Sequence, residues 1–296
     1  MVALVRTPGT APPEAREVLW DGITLAGWAA EIDGADAVVN LAGRSVNCRY
    51  HARNRARIFE SRTASTRILG EAIALAGDPP EVWINSSTAT IYRHAEDEAQ
   101  DEYHGELGEG FSVEVAKAWE KAFFGARVPG RVRKVALRTS LVLAREPGTV
   151  FDYFWKIVQR GLGGAMGSGR QRVSWVHIED FCRVVEWVLA REDFEGIANV
   201  AAPEVPTNRE LMAALRGLRR IPFGLPSTGG MIRMGTWICR TEAELVLKSR
   251  WVRSARLCRG CFEFRFGLIA QALADLAPTA AGGGVPATTK NVLGAQ

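Results

Sequence analysis

No apolar stretch in the 296-residue chain approaches the length needed to cross a bilayer, about 20 residues. The first ten residues, MVALVRTPGT, lack the basic segment and the apolar run of a secretion signal. An excess of one charge is also lacking, because 37 Lys and Arg face 33 Asp and Glu, a net charge of +4. That excess falls far short of a dedicated nucleic-acid surface. We therefore expect a cytoplasmic protein that acts on a small-molecule substrate and binds neither membrane nor nucleic acid.

Cysteine is scarce and odd in number, with five residues scattered along the chain. This distribution does not indicate a disulfide framework, and it suits a reducing compartment. Cys258 and Cys261 form a CxxC pair, but no second pair of ligands at comparable spacing accompanies them, so we predict no metal site. The favoured interpretation is two small apolar residues in a tight segment, and zinc or redox chemistry is the alternative.

The GxxxxGK[ST] spacing of a Walker loop is missing as well, although residues 161–170 (GLGGAMGSGR) are rich in glycine. Nucleoside triphosphate hydrolysis is therefore not indicated. A glycine-rich loop beside an arginine can instead wrap a phosphate or a sugar. On this basis we predict substrate-side residues in this block and just after it, namely Gly169, Arg170, Trp175 and His177. For His177, a buried, hydrogen-bonded histidine is the alternative to a proton shuttle.

Short runs of β-branched and apolar residues alternate with helical patterns, which is typical of a parallel sheet covered on both faces. The predicted strands are 2–5, 18–20, 37–41, 82–85 and 135–143. The predicted helices are 64–76, 112–124, 178–190, 208–218 and 229–247. We predict an α/β fold, a Rossmann-like doubly wound parallel sheet over residues 1–205. A small, mainly helical region follows over 206–276, and 277–296 form a flexible tail.

Two of the predicted strands end in residues suited to binding. Residues 40–43 (NLAG) place a glycine at the carboxyl end of a strand, where a ligand can approach the backbone closely. A buried strand followed by an ordinary glycine turn is the alternative. The next strand ends in Ser86 and Ser87, and Tyr92 lies a few residues beyond. Hydroxyl groups at this edge can hydrogen-bond a carbonyl or an alcohol that undergoes hydride transfer.

Seven segments stand out together: NLAG at 40–43, ESR at 60–62, SSTATIY at 86–92, KAWE at 117–120, LRTSLVL at 137–143, GLGGAMGSGRQRVSWVHIED at 161–180 and ELVLKSR at 244–250. Together they resemble the atypical epimerase/dehydratase-like branch of the extended short-chain dehydrogenases/reductases, whose members are often named "epimerase family protein". The resemblance runs from residue 1 to about residue 276. It implies a Rossmann fold, bound NADP and an unassigned substrate.

The resemblance also implies roles for individual residues. Arg6 would contact the adenosine 2′-phosphate, for which a planar guanidinium is well suited; an ordinary exposed arginine is the alternative. Leu41, Ala42 and Gly43 would line the adenosine and ribose side. Arg62 belongs to a basic segment, and we expect it to turn toward the cofactor; a solvated helix face is the alternative. The remaining cofactor contacts implied near the nicotinamide are Ser86, Arg138 and Thr139.

Two departures from the family pattern affect the expected chemistry. Family members begin with a strand and a glycine-rich turn whose backbone N–H groups bind the pyrophosphate, whereas nothing precedes Val2 here. We expect either a misassigned start or a compromised homologue, with unpaired edges inside the sheet. The YxxxK positions of this superfamily are held by Ser112 and Ala116, and Lys117 is one residue out of phase.

Tyr92 with Ser87 is the substitute catalytic pair that we predict. The leading hypothesis is an NADP-dependent oxidoreductase or epimerase-like enzyme acting on a small carbonyl, alcohol or sugar-nucleotide. Two alternatives remain open. One is a non-catalytic NADP-binding or scaffold protein, and the other is a truncated homologue that binds no dinucleotide.

Overall fold

The computed structural model of the chain describes residues 1–231 and 247–278. The strands are β1 Val2–Val5, β2 Arg16–Leu19, β3 Ala37–Asn40, β4 Val82–Thr88, β5 Arg133–Thr139, β6 Leu141–Leu143, β7 Trp175–His177 and β8 Gly196–Val200. The α-helices are α1 Ala52–Leu75, α2 Phe111–Phe124, α3 Val150–Gln159, α4 Ile178–Leu189, α5 Asn208–Arg219, α6 Ala255–Arg259 and α7 Ile269–Leu276.

The central sheet has the strand order β3–β4–β5–β8, and every pair is parallel. Successive residues of β4 point to opposite faces, so Trp83 packs with α1 and α2 while Ile84 packs with α4. Both faces of these strands are therefore covered, which is why their sequences read as continuous apolar runs. This arrangement is the Rossmann-like α/β fold that the sequence predicts.

A separate parallel pair, β1 and β2, lies next to the central sheet. Leu4 and Val18 from this pair join Val38 of β3 in one apolar cluster. Yet within the described ranges β1 and β3 share no backbone pairing. Val39 and Leu41 are 39% and 58% exposed, whereas an interior parallel strand is buried on both faces. Among the described residues, β1 and β3 are therefore edge strands of two separate sheets.

The single strand predicted over 135–143 is wrong, because two strands occupy this segment. β5 ends at Thr139, and the N–H of Ser140 still donates to Val200 of β8 at 3.0 Å. The N–H of Leu141 then donates to Ser174, and β6 pairs with β7 in a second two-stranded sheet. A continuous apolar run carries no sign of a change in hydrogen-bonding partner.

The helices follow the predicted order with one extension and three additions, namely α3, α6 and α7. α1 begins at Ala52, whereas the sequence predicts a start at residue 64. The first half of α1 is arginine-rich and exposed and has no apolar stripe, so the sequence pattern did not indicate a helix there. α5 begins behind Thr207, as predicted, in a capping box with Glu210. α3, which the sequence analysis missed, packs with α5 and α7 around Met212. The predicted helix 229–247 and the tail lie mostly outside the described residues.

None of the described helices combines the length and the apolar character that a membrane span requires.

Candidate functional site

The carboxyl ends of β3, β4 and β5 meet at one edge of the central sheet. The parallel register places Asn40 beside Asn85, and Ser87 beside Arg138. The loop 41–43 and the half-buried Ser86 lie at this edge as well. Because ligands of open parallel sheets bind outside the carboxyl ends of the strands, this edge is the candidate site.

An amide pair joins β3 to β4 at the edge. Asn40 Nδ2 donates to Asn85 Oδ1 at 2.7 Å and to Thr66 Oγ1 of α1 at 3.1 Å. Trp119 of α2 donates its indole N–H to the same Thr66 hydroxyl at 2.9 Å. Asn40 Oδ1 accepts the N–H of Ala42 at 3.0 Å. This network is buried and orients the start of the loop 41–43.

Arg62 of α1 lies against that loop. A Cβ on Gly43 would stand 3.3 Å from the guanidinium carbon of Arg62, so glycine allows the close approach. Arg62 donates to the carbonyl oxygens of Arg44 and Ile58, each at 3.1 Å. Its guanidinium carbon lies 5.2 Å from the ring centre of Trp119, and burial lowers the pKa of Arg62. The structure thus brings Arg62 together with the predicted loop.

Ser87 and Tyr92, the predicted catalytic pair, belong to one buried network. Ser87 Oγ donates to Glu120 Oε1 at 2.7 Å, and Arg138 pairs with both oxygens of Glu120 at 2.8 and 2.7 Å. Arg138 also donates to the Tyr92 hydroxyl at 2.9 Å, which donates to Asn199 Oδ1 at 3.0 Å. Both predicted hydroxyl groups are therefore engaged with protein partners.

The charges of this network stabilise each other. Burial raises the pKa of Tyr92, and the positive charge of Arg138 opposes that rise. Burial lowers the pKa of Arg138, but its hydrogen bonds and ion pair with Glu120 outweigh burial and raise it overall. Arg138 therefore stays cationic, and Tyr92 stays a neutral phenol at neutral pH.

The other predicted cofactor residues differ in exposure. Arg6 is exposed directly after β1, Leu41 is exposed, and Thr139 is half-buried at the end of β5. Ala116, at the second YxxxK position, is fully buried, and Lys117 Nζ donates to the carbonyl of Gly108 at 3.1 Å.

The predicted substrate-side residues do not all face one space. Arg170 is exposed and lines a surface depression of about 500 Å³ with Glu96, Asp97, Arg172 and Thr207. Gly169 is buried with φ of +71°, a conformation that favours glycine.

Trp175 and His177 lie in the interior. Trp175 is buried, and its indole N–H donates to the carbonyl of Glu204 at 2.8 Å. His177 is buried, stacks on Phe266 at 3.9 Å between ring centres and caps α4 by accepting the N–H of Glu179.

The described residues offer more to the adenosine end of a dinucleotide than to the pyrophosphate in its middle. At Gly43 the absence of a Cβ lets the Arg62 guanidinium lie against the loop backbone, where it can contact a bound nucleotide. After β1, however, the N–H groups of Gly9, Thr10 and Ala11 donate to the carboxylate of Glu17 at 2.7–2.8 Å. These hydrogen bonds, the one from Ala11 most strongly, lower the pKa of Glu17. The convergent donors next to Arg6 thus already hold an anion of the chain itself.

Sequence reasoning missed five residues that hold the edge together: Asn85, Thr66, Trp119, Glu120 and Asn199. Glu120 stands in the quoted KAWE segment, on the apolar face of α2 beside Ala116, Trp119 and Phe123. A carboxylate on an apolar helix face requires a buried partner. The position of Glu120 in the helical pattern was therefore the sequence signal that could have indicated a buried network. Within the described ranges, no cluster of His, Cys, Asp and Glu could hold a metal ion.

A parallel sheet with helices on both faces and polar groups collected at its carboxyl edge defines an α/β protein of the Rossmann-like class. The model of the NAD dependent epimerase/dehydratase family matches residues 21–201, and the chain belongs to this family. The resemblance inferred from the sequence segments is thereby confirmed.

Relatives and solved structures agree with this placement. An epimerase family protein of Mycobacterium leprae (strain TN) is 31% identical over 276 residues, which cover 90% of this chain and 84% of the relative. The crystal structure of human epimerase family protein SDR39U1 (isoform 2) with NADPH has a TM-score of 0.79 and 27% identity, covering 93% of this chain and 90% of that one. A nucleoside-diphosphate sugar epimerase of Corynebacterium glutamicum has a TM-score of 0.70 and 25% identity, covering 92% of this chain and 51% of that one.

Proposed function

We propose that the chain is an NADP(H)-dependent epimerase or oxidoreductase that acts on a small carbonyl, alcohol or sugar-nucleotide. The observation that carries this proposal is the meeting of Gly43, Arg62 and Ser86 at the carboxyl edge of three parallel strands. NADPH in the human relative supports the choice of the phosphorylated cofactor.

The residues at the edge would divide the binding task. Leu41, Ala42 and Gly43 would lie along the adenosine and ribose, and Arg6 would supply a guanidinium for the 2′-phosphate. Ser86, whose side chain is half-buried at the edge, would hydrogen-bond the reacting end of the cofactor or the substrate oxygen. When bound, the cofactor supplies or accepts hydride.

Proton transfer by Ser87 or Tyr92 requires a change of hydrogen-bond partner. Ser87 and Tyr92 would have to exchange a hydrogen bond to Glu120 or Asn199 for one to substrate. Their engagement favours a second candidate, a non-catalytic NADP-binding protein in which the network only holds Arg138 at the strand end.

Thermal unfolding of the full chain with NADPH and, separately, NADH tests cofactor binding. A ligand that binds only the folded state at 100 times its dissociation constant stabilises by about 2.7 kcal/mol and raises the midpoint by a few degrees. We expect a shift with NADPH that Arg6→Ala reduces and that the control Arg131→Ala, at another exposed arginine, leaves unchanged. No shift with either nucleotide overturns the proposal for this chain.

Turnover then separates the two candidates. NADPH oxidation is followed with carbonyl substrates, and epimerisation is followed with sugar-nucleotides. If Tyr92 acts as the acid, Tyr92→Phe lowers kcat by about 10²–10⁴-fold while the NADPH-induced shift stays. Binding without turnover on any substrate favours the non-catalytic candidate.

A further inference from the structure

The CxxC pair lies at the end of α6, in a segment that is as tight as the sequence predicts. The Cys261 N–H donates to the Cys258 carbonyl at 3.1 Å, and the Phe262 N–H donates to the Leu257 carbonyl at 2.9 Å. These two bonds form a Schellman motif, the common C-terminal closure of a helix. Both cysteine residues are exposed, although the Cys258 thiol is partly covered, so they are not small apolar residues of a core.

Cys261 occupies the position at which this motif normally has glycine. Its φ is +60°, in the left-handed region that a side chain disfavours. A non-glycine residue held in such a conformation points to a role for its side chain. Its neighbour Gly260 lets the turn pack closely against α4, because a Cβ there would stand 2.7 Å from the ring of Trp187.

The turn also brings the two cysteines within bridging range. A turn closed by a bond from residue i+3 to residue i holds the two Cα atoms less than about 7 Å apart. Disulfides span Cα separations of about 4.4–6.8 Å. The backbone between Cys258 and Cys261 therefore needs no large rearrangement to allow a bond between the two sulfur atoms.

We propose that Cys258 and Cys261 form a reversible intrachain disulfide by exchange with a small-molecule disulfide, and that Cys261 is the attacking thiol. The Cys261 thiolate attacks one sulfur of the reagent, the reagent's S–S bond breaks, and one thiolate leaves and takes up a proton. The Cys258 thiolate then attacks Cys261 Sγ and expels the second thiolate. The two cysteines lose two electrons in total, and the reagent gains them.

The surroundings support this order of attack. Cys261 lines a surface depression of about 440 Å³ together with Arg183, Glu186 and Trp187, which gives a reagent access. Burial raises the pKa of Cys258, and the nearby negative charge of Glu102 adds to that rise while Arg253 opposes it. This rise lowers the thiolate fraction of Cys258 at neutral pH, which suits Cys258 to the second, intramolecular step.

Tryptic mapping tests the proposal, because Arg259 lies between the two cysteines. The folded full chain is incubated with glutathione disulfide, free thiols are alkylated, and the protein is digested without reductant. Cleavage after Arg256, Arg259 and Arg265 releases peptides 257–259 and 260–265, which only a Cys258–Cys261 bond holds together. We expect the linked pair, and we expect its loss after reduction with dithiothreitol.

Single variants test the order of attack. Cys258→Ser retains Cys261 and should accumulate a glutathione adduct several-fold faster than Cys261→Ser. Cys182, an exposed thiol of α4, is the matched control and should give an adduct without a linked peptide. Glutathione adducts on Cys258 and Cys261 without the linked pair, or a failure of both to react, would overturn the proposal.

Discussion

Arg138 and Glu120 form the buried ion pair of the candidate site. Their closest contact is 2.7 Å, and their side chains are only 8% and 10% exposed. Such a pair is weak evidence of net stabilisation, because burying two charges costs about as much as their attraction returns. Removing one partner is different, since the other charge is left uncompensated in the interior.

We predict that Arg138→Met lowers the free energy of unfolding by about 3–5 kcal/mol, because Glu120 loses its charged partner. Denaturant unfolding measures the change. Arg131→Met is the control, since Arg131 and Asp78 pair at 3.1 Å with both side chains largely exposed and should change stability by about 0–1 kcal/mol. Equal losses in the two variants would show that the network contributes no more than a surface pair.

Cys261, whose backbone is left-handed, is a residue at which a substitution should increase stability. Cys261→Gly should raise the free energy of unfolding by up to about 1–2 kcal/mol, because glycine adopts this conformation without a steric penalty. Cys258→Gly, inside α6, should lower it by about 0.5–1 kcal/mol. Denaturant unfolding under reducing conditions compares both with the parent chain, and a destabilised Cys261→Gly would contradict the backbone argument.

At the scale of elements, His177 joins the start of α4 to α7. Its Nδ1 accepts the N–H of Glu179, and its Nε2 lies 3.4 Å from the carboxylate of Asp275. Burial lowers the pKa of His177, while the charges of Asp275, Asp180 and Glu179 oppose that shift. The folded state therefore binds a proton at this histidine less readily than the unfolded chain does.

We predict that stability falls as the pH is lowered through the histidine's unfolded-state pKa of about 6.5. Over this interval the unfolded state takes up the proton first, which favours unfolding. His177→Asn keeps an oxygen acceptor for the helix cap and should flatten the dependence between about pH 7.5 and 5.5. Denaturant midpoints across this interval provide the measurement, and an unchanged slope in His177→Asn would assign the effect to other groups.

The sequence predicts those elements whose local pattern matches their environment. Local patterns mark the elements that lie close to their predicted bounds: a short apolar run marks β1, and an apolar stripe or a capping residue marks α2, α4 and α5. The break between β5 and β6 left no signal in the local sequence, because it is a change of the strand to which the backbone hydrogen-bonds. The sequence names the loop 41–43 and Arg62 as separate cofactor residues, and their contact depends on how α1 packs against the end of β3. The engagement of Ser87 and Tyr92 depends on Glu120 and Asn199, which contribute from α2 and β8.

At the scale of the whole molecule, the two-stranded β1–β2 sheet should be the less stable part. β4 has partners on both sides and is buried, whereas β1 has one partner and is partly exposed. We predict that amides of β1 and β2, such as Val5 and Val18, exchange with deuterium well before Ile84 and Val135. Native-state hydrogen exchange measures this order, and equal protection would show that both sheets unfold as one unit.

The open edges of β1 and β3 also bear on how the chain behaves at high concentration. Among the described residues these edges have no strand partner, and the exposed Val39 and Leu41 lie at the β3 edge, so the backbone groups there can template strands of other molecules. A net charge of +4 provides only weak repulsion, and added salt screens it further. The shelf life of concentrated solutions should therefore be limited by β-rich aggregation, with turbidity that develops faster as ionic strength rises.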